Sequence, residues 1–346
     1  MPDVRAILVA LLTTFAFVAS AGCGDQGETT LRDALSREGV DVAALFAEPT
    51  DAELARLLAS WEADRPVPEN VREEASRSLD GGDKLRVLSH DVRGVRHHGV
   101  VVEPPGDHAP NSLPVVMNLI GFGQEMRLEV PNDAAAYDGA YVTVLPSFRG
   151  HELRVGDDVW ASGGDPYDQC DGGTDDALAF LEAALMTTPT ADATRLAVIG
   201  GSRGGNVGMM VGVRREDVDG IANVAGPTNY LLEELLDVPN MVPLYANYFV
   251  AGLLEGSGNV EQARERMLSC SPLYFADRLP PLQSHHGTAD RNVPFTQAEA
   301  LDQRMRALGR AVPSYQLFVY QGANHELSDE LQDIGVRVDG FVGSLF

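Results

Sequence analysis

From Lys84 to the end of the chain, short runs of apolar residues alternate with longer segments whose apolar residues recur at helical spacing. The short runs predict eight strands, near residues 85–92, 95–103, 114–120, 140–146, 195–201, 219–225, 281–286 and 314–320. The longer segments predict helices near residues 132–137, 173–186, 203–214, 296–308 and 326–345. Strands that alternate with helices are typical of an α/β domain with a mostly parallel sheet. We assign this domain to residues 84–346.

One insertion interrupts this alternation between the sixth and seventh predicted strands. Residues 228–278 are apolar and partly helical, which predicts a helical cap over the carboxyl ends of the strands. In this interpretation its aromatic residues line a substrate pocket, namely Tyr230, Tyr245, Tyr248 and Phe249. The alternative is a set of additional helices that only pack on the core.

The segment that precedes the α/β domain is polar and helix-prone. Within DAELARLLASWEADR, apolar residues recur at helical spacing at Leu54, Leu57, Leu58 and Trp61. We therefore expect residues 23–83 to form an exposed tether followed by one or two small helices.

The first residues predict export. Residues 6–19 form an apolar run of 14, which is short for a membrane span and suits the core of a signal peptide comprising residues 1–22. Ser20, Ala21 and Gly22 then lead to Cys23 in a pattern that resembles the lipobox of bacterial lipoproteins. This predicts lipidation of Cys23 and attachment to a membrane surface. The alternative is ordinary cleavage, which would leave a periplasmic or secreted protein.

The net charge and the cysteines indicate which partners and which covalent or metal sites are expected. Lys and Arg total 26 against 51 Asp and Glu, and the net charge of −25 argues against a nucleic-acid partner. Beyond Cys23 the chain contains Cys170 and Cys270, which either form a disulfide in an exported protein or remain two separate buried thiols. No cysteine spacing typical of a metal site is present.

Two histidine pairs and two carboxylates could be mistaken for functional groups. Adjacent residues of a strand face opposite sides, so neither His97 with His98 nor His285 with His286 is expected to chelate a metal ion. We expect Asp175 and Asp176 to stabilise the start of a helix. The sequence therefore predicts neither a metal nor another cofactor.

The stretch VIGGSRGGNVGMM, residues 198–210, contains the pattern G-x-S-x-G between a predicted strand and a predicted helix. This pattern is typical of a nucleophile elbow, in which a sharp turn exposes Ser202 and the flanking glycines let neighbouring backbone pass closely. A serine hydroxyl is a weak nucleophile unless a base takes its proton. The elbow therefore predicts an acid and then a histidine further along the chain.

Both groups follow predicted strands. Asp290 lies in a turn four residues after His286, and His325 lies in the loop before the last predicted helix. We predict that Ser202 attacks, that His325 accepts and returns the proton, and that Asp290 orients the imidazole. Two backbone N–H groups are expected to bind the oxyanion, that of Arg203 and that of Phe122 after the third predicted strand.

These motifs resemble the α/β-hydrolase superfamily, and within it the relatives of prolyl oligopeptidase and dienelactone hydrolase. The segment HGTADRNVPFTQAEAL resembles the part of such peptidases that carries the catalytic aspartate, and GGSRGG resembles their elbow. LPSFRGHELRVG and DDALAFLEAAL resemble the loop after their fourth strand and the helix that follows. The resemblance covers about residues 84–346 and implies an α/β-hydrolase fold.

The sequence departs from those peptidases in ways that favour an esterase. Fewer than 90 residues precede the hydrolase segment, so the β-propeller of the prolyl oligopeptidases is missing. Ile120 stands where many relatives have a histidine, and Phe122 has no hydroxyl to serve as a side-chain donor. We therefore predict a serine hydrolase that cleaves carboxylic esters. The alternatives are a peptidase or amidase acting on short peptides, and a non-catalytic surface binding protein that has kept the fold.

Overall fold

A nine-stranded sheet lies at the centre of the protein. The structure is a computed structural model that describes residues 30–79, 81–121 and 141–346, and the backbone of residues 125–128. The strands of the large sheet are β1 (Glu69–Ser78), β2 (Lys84–Val92), β3 (Val95–Glu103), β4 (Leu113–Leu119), β6 (Val142–Pro146), β9 (Ala191–Gly201), β10 (Gly220–Val224), β11 (Leu282–Gly287) and β12 (Tyr315–Tyr320). A second sheet contains β5 (Glu125–Leu128), β7 (Glu152–Val155) and β8 (Asp158–Ala161).

The strand order across the large sheet is β1-β2-β3-β6-β4-β9-β10-β11-β12. The first four strands in this order pair antiparallel, and every pairing from β6 to β12 is parallel. The predicted fold class, an α/β-hydrolase fold with a mostly parallel sheet, is thus confirmed. Its eight predicted strands match eight strands of this sheet, with ends that differ by a few residues.

Helices cover both faces of the large sheet. The helices are α1 (Leu31–Arg37), α2 (Val42–Leu45), α3 (Asp51–Ala63), α4 (Asp171–Thr187), α5 (Arg203–Arg214), α6 (Val242–Leu244), α7 (Ala251–Leu254), α8 (Val260–Leu268), α9 (Phe295–Ala307) and α10 (Leu331–Leu345). The predicted helix at 132–137 lies outside the described residues. Among the residues that the structure describes, no helix has both the length and the apolar character needed to cross a membrane.

The central strand β9 shows how the core is divided between the two faces. Leu196 and Val198 belong to the cluster formed with α4 and α5, whereas Ala197 and Ile199 belong to the cluster formed with α10. Side chains of a strand alternate between faces, so a strand that is covered on both sides is apolar at every position. This explains the unbroken apolar run that predicted the strand.

Residues 228–278 form the predicted helical cap. Besides α6, α7 and α8, this insertion contains a π-helical turn, Tyr245–Phe249, and two 3₁₀ turns, Glu233–Asp237 and Pro272–Phe275. A disulfide between Cys170 and Cys270 joins the end of the cap to the residue before α4. Of the two states that the sequence left open for these cysteines, the structure has the disulfide.

The segment before the α/β domain contains the expected small helices, three of them where one or two were predicted. From Thr30 onward it is folded, and its three helices pack against the cap. The Arg264 side chain of α8 donates hydrogen bonds to the carbonyl oxygens of Ala44, Leu45 and Ala47, and pairs with Glu53 of α3 at 2.7 Å. This segment therefore builds one side of the cap region. Residues 23–29 lie outside the described residues.

Strand β1 was not predicted, because its sequence ENVREEASRS has no apolar run. The strand occupies the border of the sheet, where it pairs only with β2, and most of its side chains are exposed. Backbone hydrogen bonds to β2 hold it in place without the burial that usually identifies a strand.

Candidate active site

Ser202 occupies the sharp turn between β9 and α5. Its backbone has φ 52° and ψ −122°, a conformation that residues with a side chain rarely adopt. A Cβ atom added to Gly204 would lie 2.0 Å from the carbonyl oxygen of Leu119, and one added to Gly200 would lie 2.2 Å from the carbonyl oxygen of Gly204. Only glycine fits at both positions, as the elbow motif predicts.

The structure brings the three predicted side chains together. The Oγ atom of Ser202 lies 2.9 Å from Nε2 of His325, and Nδ1 of His325 lies 2.7 Å from Oδ2 of Asp290. All three residues are buried. Both distances are those of hydrogen bonds, and together they form a continuous path from the serine hydroxyl to the carboxylate.

The sheet explains why residues far apart in sequence meet here. Ser202 follows β9, Asp290 follows β11 and His325 follows β12. These strands run parallel within one sheet, so their carboxyl ends lie on the same edge.

Four nitrogen atoms contact the carboxylate of Asp290. One of them belongs to His286, a histidine that the sequence did not place in the site. Its Oδ1 atom accepts the backbone N–H groups of Asn292 and Val293, at 2.9 and 2.8 Å. Its Oδ2 atom lies 3.3 Å from Nε2 of His286 in addition to the contact with His325. Burial by itself would raise the pKa of Asp290, but the hydrogen bonds from the two histidines outweigh it and hold the pKa well below its usual range.

The sequence did not predict a contact between His286 and the triad. Its Nε2 atom also lies 2.9 Å from the carbonyl oxygen of Val293, so one ring nitrogen contacts both sides of the turn that carries Asp290. The spacing of four residues between His286 and Asp290 was the available signal. The turn that brings them together could not be derived from that spacing.

The structure describes one of the two predicted oxyanion donors, Arg203, and not the other. Arg203 is the first residue of α5, and the backbone N–H groups of a helix N-terminus are free to bind an anion. Phe122 lies outside the described residues, and β4 with its following residues is described as far as Gly121.

The side chain of Arg203 was not predicted to take part. It is buried, and its guanidinium lies 4.2 Å from the centre of the Phe148 ring. It donates a hydrogen bond to the carbonyl oxygen of Gly121 at 2.8 Å and lies 3.1 Å from Nε2 of His151. Burial lowers the pKa of Arg203 to about 9. A buried cation thus links the nucleophile turn to the end of β4.

Asp175 and Asp176 do not cap a helix, contrary to the expectation. Helix α4 begins at Asp171, so both residues lie in its second turn. Asp175 pairs with Arg214, and Asp176 pairs with Arg149 at 2.9 Å. The prediction placed them at the helix start because the sequence does not mark where α4 begins. Cys170, the residue before α4, makes no side-chain capping hydrogen bond.

Two of the four aromatic residues of the cap line a cavity that lies apart from the nucleophile. Tyr230 and Tyr245 are buried in the core, and the Tyr245 hydroxyl donates to the carbonyl oxygen of Tyr230. Tyr248 and Phe249 line a cavity whose walls contain none of Ser202, Asp290 and His325.

Comparisons with known proteins agree with this geometry. The model of the prolyl oligopeptidase family matches residues 137–338, which is more than half of the chain. No curated protein sequence matches the chain.

Among solved structures, two similar ones are acetyl xylan esterases. That from Thermoanaerobacterium sp. JW/SL YS485 has 17% identity and a TM-score of 0.60 over 86% of this chain and 93% of its own. That from Paenibacillus sp. R4 has 17% identity and a TM-score of 0.60 over 87% and 98%. At this level of identity, the likeness is one of fold.

A third similar structure is a puromycin-hydrolysing peptidase from Mycobacterium tuberculosis. It has 19% identity and a TM-score of 0.56 over 86% of this chain and 41% of its own. The chain therefore spans less than half the length of that peptidase and nearly the whole length of the two esterases.

Proposed function

The chain belongs to the prolyl oligopeptidase family, and we propose that within this family it is a serine hydrolase that cleaves carboxylic esters. The observation that carries the proposal is the hydrogen-bonded path from Ser202 through His325 to Asp290. It supplies a nucleophile, a base and an orienting carboxylate in one buried site.

The first half of the reaction forms an acyl-enzyme. The Oγ atom of Ser202 attacks the ester carbonyl carbon while its proton moves to Nε2 of His325. The oxyanion that forms is stabilised by the backbone N–H of Arg203 and, in our proposal, by that of Phe122. When the tetrahedral intermediate collapses, the alcohol leaves with the proton from His325 and the acyl group stays on Ser202.

The second half returns the enzyme to its starting state. Water gives a proton to His325 as its oxygen attacks the acyl carbon, and the carboxylic acid leaves when Ser202 recovers that proton. Throughout, Asp290 accepts the Nδ1–H of His325, which keeps Nε2 facing Ser202 and stabilises the imidazolium.

Hydrolysis of p-nitrophenyl acetate tests the proposal. Ser202→Ala should lower kcat by several orders of magnitude, because members of a triad act as a unit. Ser284→Ala, which removes another buried serine hydroxyl from the neighbouring part of the sheet, should retain most of the activity. Hydrolysis by Ser202→Ala at the rate of the unmodified protein would contradict the proposal.

A peptidase or amidase is the second candidate, and the family match is compatible with it. Esters and p-nitroanilides that carry the same acyl group separate the two, since clear cleavage of the p-nitroanilide would favour the peptidase or amidase and cleavage of the ester alone would favour the esterase. A fluorophosphonate probe separates both from a non-catalytic binding protein, because only an activated Ser202 would be labelled covalently.

Export and attachment to a membrane surface through lipidated Cys23 remain part of the proposal. The apolar run at residues 6–19 and the small residues before Cys23 support it. The Cys170–Cys270 disulfide also supports it, because disulfides persist mainly in oxidising compartments. Metabolic labelling with a fatty acid should mark the unmodified protein and not Cys23→Ala.

A further inference from the structure

A cavity of about 550 Å³ lies between α3, the start of α4 and the cap helices α7 and α8. Its volume is in the range of sites that hold small molecules, roughly 300–1,000 Å³. It is distinct from the triad, because Arg214 in its wall is the last residue of α5, the helix that begins directly after Ser202. A helix of 12 residues is about 18 Å long, which sets the scale of this separation.

The charges of Arg93 and Arg214 in the cavity wall are paired with carboxylates of the same wall, whereas Glu265 and Arg266 of this wall are exposed. Arg214, whose side chain is 3% exposed, contacts Asp171 at 3.3 Å and also pairs with Asp175. Arg93 lies 2.8 Å from Asp64 and 3.1 Å from Asp175. An ionic ligand would have to separate a carboxylate from its guanidinium, and breaking such a pair is costly for the buried Arg214. The wall therefore favours an uncharged ligand that both donates and accepts hydrogen bonds.

Two aromatic residues add apolar surface to this polar wall, although a guanidinium lies over each ring, that of Arg214 at 5.3 Å from the centre of Trp61 and that of Arg266 at 5.2 Å from the centre of Tyr248. Trp61 packs edge-on against Phe275 with ring centres 5.2 Å apart, and its indole N–H donates to Asp171 at 3.3 Å. The Tyr248 hydroxyl donates to Asp168 at 2.7 Å. These contacts fix both rings, so a ligand that packs on them does not have to order them.

The disulfide fixes the two sides of the cavity to each other. Cys170 directly precedes the lining residue Asp171, and Cys270 directly follows the lining residue Ser269. The cap and α4 therefore cannot move apart at this point. Such preorganisation lowers the entropy lost on binding.

We propose that this cavity is an accessory binding site for a short, uncharged oligosaccharide. Sugar hydroxyls both donate and accept hydrogen bonds, which suits the alternating carboxylates and guanidinium groups of the wall. The C–H faces of a sugar ring are apolar, which suits Trp61 and Tyr248. This site is independent of the proposed ester hydrolysis, since it uses none of the triad residues.

The test uses the full chain carrying Ser202→Ala, so that no probe is hydrolysed. Xylotriose, cellotriose, maltotriose and chitotriose are titrated by calorimetry, with inorganic phosphate and spermidine as anionic and cationic probes. Ser60 lines the cavity on an exposed part of α3, so Ser60→Trp should fill the site without disturbing the core. Ser36→Trp on α1 is the matched control, because both hydroxyls donate to a carbonyl oxygen of their own helix.

We expect at least one trisaccharide to bind, with an affinity that Ser60→Trp lowers at least tenfold and Ser36→Trp leaves unchanged. Circular dichroism of both variants establishes that they fold. Three results would each overturn the proposal: no trisaccharide binds, Ser60→Trp binds as well as Ser36→Trp, or a charged probe binds more tightly than every trisaccharide. Because binding is measured in the Ser202→Ala chain, failure of the proposed esterase activity would not change the result of this titration.

Discussion

The guanidinium of Arg203 donates a hydrogen bond of 2.8 Å to the carbonyl oxygen of Gly121, and so joins the nucleophile turn to the end of β4. Gly121 is the residue before Phe122, whose N–H we expect to bind the oxyanion. We therefore expect the side chain of Arg203 to position this loop, in addition to the proposed role of its backbone N–H in binding the oxyanion.

Arg203→Met should lower kcat for p-nitrophenyl acetate about tenfold and leave KM nearly unchanged. Loss of an oxyanion donor typically costs about 10²–10³ in kcat, and a donor that is only displaced should cost less. Steady-state kinetics measures the effect. Arg195→Met, which removes a surface arginine paired with Asp192, serves as the control. Equal kcat values for the two variants would exclude a positioning role for Arg203.

Arg264→Met should detach the N-terminal helices from the cap. The variant loses the pair with Glu53 and the hydrogen bonds to three carbonyl oxygens, and the partly buried partners left behind make the cost roughly 1–3 kcal/mol. Urea unfolding measures the stability, and limited proteolysis within residues 30–65 should become faster. Arg306→Met, which breaks an exposed ion pair on α9, should change neither measurement.

The same contact has a predictable pH dependence. The hydrogen bond from Arg264 lowers the pKa of Glu53 to about 2, from 4.5. A carboxyl whose pKa is lower in the folded state stabilises the protein above the unfolded value, and this stability is lost as the pH falls from about 4.5 toward 2. Arg264→Met should therefore show a smaller loss of stability over that range than the unmodified protein.

Removal of the disulfide should destabilise the protein strongly. Cys170 and Cys270 are 100 residues apart, and closing a loop of that length stabilises a folded chain by about 3–5 kcal/mol in the chain-entropy description. The double variant Cys170→Ser with Cys270→Ser should unfold at a lower urea concentration than the oxidised protein. Adding a reductant should then have no further effect on the variant, and an unchanged midpoint would contradict the expectation.

Two buried histidines should make the protein less stable in acid. Burial lowers the pKa of His90 to about 3 and that of His97 to about 4, and their rings lie 5.7 Å apart beneath α4. Below pH 6.5 the unfolded chain protonates these residues while the folded protein keeps them neutral, so the free energy of unfolding falls as the pH falls.

A substitution isolates the share of one of these histidines. His90→Leu should reduce the loss of stability between pH 7 and pH 5 by about 2 kcal/mol, because a difference of one pKa unit corresponds to about 1.4 kcal/mol. Urea unfolding at the two pH values measures this loss. His108→Leu, on a loop at the surface, should retain the pH dependence of the unmodified protein.

The sequence predicted the elements in which the buried positions form a recognisable pattern of apolar residues. Strand β9 is apolar at every position of its core because helices cover both faces, and helix α5 was predicted with its observed bounds. The triad could be predicted because the elbow fixes Ser202 on one strand and the parallel sheet limits where an acid and a histidine can meet it.

The remaining features depend on contacts that a linear pattern does not contain. Strand β1 is held by backbone hydrogen bonds and buries little, so it has no apolar signature. The positions of Asp176 and Arg203 follow from three-dimensional packing against Arg149 and against Gly121, respectively. The order of residues within α4 or α5 alone does not reveal either contact.

The border strand β1 has a consequence for how the molecule behaves at high concentration. Its exposed side chains include Glu69, Arg72 and Glu73, which line the rim where another polypeptide would have to add its own backbone. A second polypeptide would have to desolvate these charges before its backbone could form hydrogen bonds with β1. The addition of a further strand on this side is therefore unfavourable, which opposes fibrillar self-association of the protein.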